Sequence, residues 1–74
     1  MSFEDFKRTI ERGIERGEIQ TEQPLTELEI AIQYAIGSEQ EERGTEQLTL
    51  TVKDICLLVL KHCGADVYHR VLPA

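Results

Sequence analysis

The chain has 74 residues, of which 41% are hydrophobic and 30% charged, a composition for one folded domain near the size at which a single core just suffices without disulfides, metal or oligomerisation. Its net charge of −6 lacks the basic footprint a nucleic-acid reader needs, and its longest apolar run, Ile55 to Leu60, argues against a membrane span or a secretory signal. Two cysteines are too few for a disulfide framework, so a reducing, cytoplasmic setting is expected.

The most informative pattern is apolar-[Ser/Thr]-x-x-[Asp/Glu]-apolar, which occurs as Met1–Phe6, Leu25–Ile30 and Leu50–Ile55. The hydroxyl can accept from the free amide three residues on, the carboxylate there can reach back to the cap amide, and the outer apolar pair can close over the turn. Each copy therefore predicts a helix start.

The first helix is expected from about Phe3 to Arg16, with a narrow apolar stripe of Phe3, Phe6, Ile10 and Ile14. Gly17 should end it in the left-handed conformation. Gly13 lies on the apolar side, where it costs about 1 kcal/mol against alanine, and the expected reason is close approach of a neighbouring helix. The charged rows Arg8-Arg12-Arg16 and Lys7-Glu11-Glu15 read as a solvated face of weak pairs.

The second helix should occupy about Glu27 to Ile36, stop near Gly37-Ser38, and give way to an exposed loop over 37–44. Leu28, Ile30, Ala31, Ile32, Tyr34, Ala35 and Ile36 leave it only a thin polar strip, so it must be covered on more than one side. Residues 47–52 alternate polar and apolar, which allows a short strand, although the cap at Thr51 favours an extended lead-in.

The third helix should run from about Val52 to Cys63, with Gly64 after it. Leu57 falls between Lys53 and Lys61, on the side that ought to be polar. The last segment, Asp66 to Pro73, can form one or two turns capped by Asp66 and stopped by Pro73. The expected core is Phe3, Phe6, Ile10, Ile14, Leu28, Ile32, Ala35, Ile36, Ile55, Leu58 and Val59.

Little in the chain points to catalysis. No glycine-rich phosphate loop follows a strand, and no nucleophile or base is set beside a partner at a telling spacing. Cys56 and Cys63 stand seven apart on one helix, about 10.5 Å along its axis, beyond the reach of a disulfide. With His62 and His69 they could be drawn as a metal set, but tight Cys-x2-Cys or His-x3-His pairs are missing, and buried thiols are the plainer reading.

Acidity is concentrated in residues 18–46, where eight acids face Arg43 alone. The sequence thus predicts an all-α small three-helix bundle with a short fourth helical segment at the C-terminus. The expected function is a non-enzymatic protein–protein interaction or regulatory module without cofactor, nucleic acid or membrane. It should act as a homodimer through Ile30, Tyr34, Leu57 and Leu60, which lie off the main stripes. The alternatives are an acidic inhibitor or DNA mimic for a basic partner and, behind it, a Cys/His metal or redox site.

Overall fold

A computed structural model describes residues 2–72 and contains four helices, α1 (Phe3–Glu15), α2 (Glu27–Arg43), α3 (Val52–Cys63) and α4 (Ala65–Val71), with no strand among the described residues. The three expected helix starts are all present. Ser2 Oγ accepts from the Asp5 amide at 3.2 Å, while Thr26/Glu29 and Thr51/Asp54 form complete capping boxes in which each side chain satisfies the other residue's amide. Leu25 and Leu50, which precede the two threonines, pack against the core as staples should. Met1, the outer residue of the first copy, lies outside the described residues. Residues 47–50 run irregularly into α3 rather than forming a strand.

The clearest departure is the length of α2. Gly37 keeps a helical backbone, and the helix continues through the segment whose composition reads as a loop. It stops at Gly44, which has φ 69°. There the Thr45 amide donates to the Gln40 carbonyl at 3.1 Å and the Gly44 amide to the Glu41 carbonyl at 3.3 Å. This is a Schellman ending, and Arg43 in the last turn suits the negative end of the helix dipole.

The same motif ends α1. Gly17 has φ 75°, and the Glu18 and Ile19 amides both donate to the Gly13 carbonyl, at 2.9 and 3.0 Å. That turn lays Ile19 over Gly13, where a β-carbon would sit 2.6 Å from Ile19 Cδ1. The close neighbour of Gly13 is therefore the chain's own turn, not a second helix. At the other end of the chain, α4 begins directly after Gly64 (φ 95°) with no side-chain cap, so Asp66 does not play the capping part expected of it. Pro73 lies outside the described residues.

One core holds the helices together: Phe3 from α1, Ile30, Ala31 and Ala35 from α2, Leu58 and Val59 from α3, and Val67 from α4. Ala31, Ala35 and Val59 are fully inaccessible, and the small alanines let α3 lie close along α2, its most extensive partner. Phe6, Ile10 and Ile32 pack at the margin of this cluster, whereas Ile14, Leu28, Ile36 and Ile55 are half-buried outside it. A helix that is apolar almost all round carries no phase of its own; the neighbours set it. Here they rotate Ile30 and Ala31 inward.

Candidate functional site at the seam of α2 and α3

The four residues singled out for partner binding separate into two pairs. Ile30 is 3% exposed and belongs to the core, so it offers no docking surface in this fold. Tyr34 is half-buried between the rings of Phe3 and Phe6, at centroid distances of 5.8 and 5.3 Å, so α1 of the same chain covers it. The excess apolar surface of α2 is thus largely absorbed internally. Leu57 and Leu60 remain accessible, at 54% and 40%, and Val52 at the start of the same helix is 79% exposed.

This arrangement follows from helical phase. With about 100° between successive residues, burying Leu58 and Val59 against α2 turns Leu57 and Leu60 outward, three apart on one face. Leu57 then forms one wall of a shallow depression of about 310 Å³, whose other sides include Glu39, Arg43, Asp54, Leu58 and Lys61.

The polar floor of that depression comes from the half of α2 that the sequence hides. Glu39 continues the four-residue spacing of Ala31 and Ala35 and therefore faces α3, where it is 3% exposed. Three cations or potential cations surround its carboxylate: Arg43 Nε donates to Oε2 at 2.5 Å, Lys61 Nζ donates to Oε1 at 3.2 Å, and His62 Nε2 lies 2.9 Å from Oε1. The His62 contact above all, with Lys61 and Arg43, holds this carboxyl well below the usual range, at about 2, against the opposing effect of burial. Since the carboxylate only accepts, His62 carries its proton on Nε2 here. Glu42, one turn on and largely exposed, takes a second bond from Lys61 at 3.0 Å and lies 3.9 Å from His62 Nε2.

A second charged junction sits at the opposite end of α2. Glu27 receives Lys7 Nζ from α1 at 2.7 Å and a two-pronged contact from Arg70 of α4, Nε to Oε1 at 2.6 Å and Nη2 to Oε2 at 2.8 Å. Arg70, followed by Lys7, lowers the Glu27 carboxyl below its ordinary value. Arg70 also reaches Glu4 of α1 at 3.4 Å. Of the eight acids in residues 18–46, Glu27, Glu29, Glu39 and Glu42 thus have partners within the chain. This leaves a smaller free acidic surface than the DNA-mimic alternative would draw on.

The cysteine–histidine set does not assemble. Both thiols are free, Cys63 Sγ donates to the Ala31 carbonyl at 3.6 Å, and burial pushes the Cys63 thiol up to about 11. Among the described residues, the potential metal-ligating atoms that converge in a group of three are those of Glu39, Glu42 and His62. Sequence reasoning missed Glu39, Glu42 and Arg43 because it ended α2 at Gly37. The available signal was the i,i+4 pair Glu39/Arg43, followed by Gly44 as a helix stop. Comparison with protein-family models, with curated proteins and with solved structures finds no match for this chain.

Proposed function

We propose that the chain is a non-enzymatic protein–protein interaction module of the cytoplasm and that it pairs with a second copy through the outer face of α3, with Leu57 and Leu60 at the centre. The observation that carries this reading is the exposure of Leu57 and Leu60 on one side of a 12-residue helix that buries Leu58 and Val59 on the other. Burying a leucine-sized side chain contributes roughly 1.5–3 kcal/mol, so a small patch of this kind supports association.

Charge favours a second copy at this face. The chain as a whole is acidic, but residues 47–74 carry Asp54 and Asp66 against Lys53, Lys61 and Arg70, so α3 lies outside the acidic stretch whose self-repulsion opposes pairing. A twofold contact that uses the same patch on both chains closes the assembly. Its area is small, which places it among weak, reversible contacts.

Sedimentation velocity over low to high micromolar concentration tests the proposal. The average mass of the wild type should climb towards that of a dimer, and Leu57→Glu should hold the protein at monomer mass with an unchanged helical circular dichroism spectrum. A wild-type chain that stays monomeric over the whole range refutes the self-association reading.

A further inference from the structure

We propose that Glu39, Glu42 and His62 form a binding site for a divalent transition-metal ion of the zinc class, entered by displacing the ammonium of Lys61. The carboxylates project from one face of α2, three residues apart, and the imidazole comes from α3, so the ion would bridge the two helices that build the core. The three ligand atoms already lie within 4.8 Å of one another. His62 Nε2 is 2.9 Å from Glu39 Oε1 and 3.9 Å from Glu42 Oε2, distances that bracket the separation of about 3.3 Å between neighbouring ligands of a tetrahedral zinc ion.

A second observation marks the same spot as a place for positive charge. Lys61 Nζ lies between the two carboxylates, 3.2 Å from Glu39 Oε1 and 3.0 Å from Glu42 Oε1. Its side chain is half exposed, so it can swing into water and leave both oxygens free without disturbing the core. Glu39, by contrast, is held in place by burial and by Arg43, which gives the site one fixed ligand and one adaptable ligand, Glu42. The donor set, one imidazole nitrogen and two carboxylates, suits zinc, cobalt or nickel over magnesium or calcium, which take oxygen alone. In tetrahedral geometry one coordination position remains for water. Binding requires a free Nε2 on His62, with the ring proton moved to Nδ1.

The site's ligands do not include Leu57 or Leu60, although Leu57 walls the same depression as Glu39 and Lys61. Calorimetric titration of the chelator-treated full chain with zinc chloride should give one ion per chain. Glu42→Gln, at an exposed position, should weaken binding about tenfold or more. Lys61→Met should tighten it several-fold, because the competing ammonium is gone, whereas His69→Gln should change nothing. Cobalt added in place of zinc should show visible d–d bands without the near-ultraviolet band of thiolate ligation. No stoichiometric binding near neutral pH, a thiolate band, or an affinity indifferent to Glu42→Gln and Lys61→Met would each overturn the proposal.

Discussion

Two glutamates twelve positions apart on α2 illustrate how burial changes what an ion pair does. Glu27 joins α1 and α4 through Lys7 and Arg70 at a junction open enough for water to share the charges, its side chain being 21% exposed. Glu39 gathers Arg43, Lys61 and His62 with a side chain only 4% exposed, in a seam otherwise made of alanine, leucine and valine. At the open junction each partner is replaceable by water, and the ion pairs add little beyond orientation. At the closed one water reaches Glu39 poorly, and removing its partners leaves the carboxylate short of donors in low dielectric, although Lys61 and Arg43 themselves are half exposed.

The sharpest way to break this contrast is Glu39→Ala, which should lower the thermal midpoint by more than the loss of a helix cap or of the Glu27 charge does. It leaves Lys61, His62 and Arg43 gathered around a gap. The pH dependence carries the same information. Because the Glu39 carboxyl is depressed from 4.5 to about 2 in the folded state, its stabilising contribution is fully present above pH 4.5 and is lost as pH falls towards 2. Glu39→Gln should flatten that acid limb of the midpoint–pH curve; a curve identical to wild type would show that the seam does not depend on the charge.

An intermediate effect is expected from Thr26→Ala, which removes the acceptor for the Glu29 amide and should cost about 1 kcal/mol. The loss is local to the Glu27 end. Amide exchange should speed up over the first turn of α2 and remain slow near Glu39, and uniform acceleration along the helix would contradict the separation of the two ends.

The smallest effect should come from Glu27→Gln, at most about 1 kcal/mol, and it should shrink further in high salt because the junction is open to screening. Denaturant melts of the variant at low and high ionic strength check this. A loss as large as that of Glu39→Ala, insensitive to salt, would remove the distinction between the two sites.

The start of α2 was legible in the sequence and its end was not, for a physical reason, and neither charged junction was foreseen. Helix starts are encoded locally, by a hydroxyl and a carboxylate three residues apart, so the beginnings of α1, α2 and α3 follow from the sequence. A helix end at glycine is less local. Gly37 and Gly44 look alike in sequence, and past the first the chain stays helical with Glu39 facing α3 and paired to Arg43 one turn on. Phe3, Ala35, Leu58 and Val59 were legible as core because their helices carry a clear stripe or a small residue at the contact. Ile30 and Val67 were not, since the phase of α2 and the docking of α4 depend on neighbours that no window of sequence contains. The outward position of Leu57 between two lysines could be read directly, whereas Glu39 looked like one more acid in a polar loop.

Arg70 joins parts of the chain that lie far apart in sequence. α1 packs on α2, α2 on α3 and α3 on α4, so each main contact joins helices adjacent in sequence, and such contacts close short loops and form rapidly. The bonds of Arg70 to Glu27 and Glu4 span 43 and 66 positions and join the last helix to α2 and to α1. Contacts of that span close the longest loops in the fold, so they cost the most chain entropy to make. Exposed charges make those long closures, while the anchor of the terminal helix is Val67 in the core.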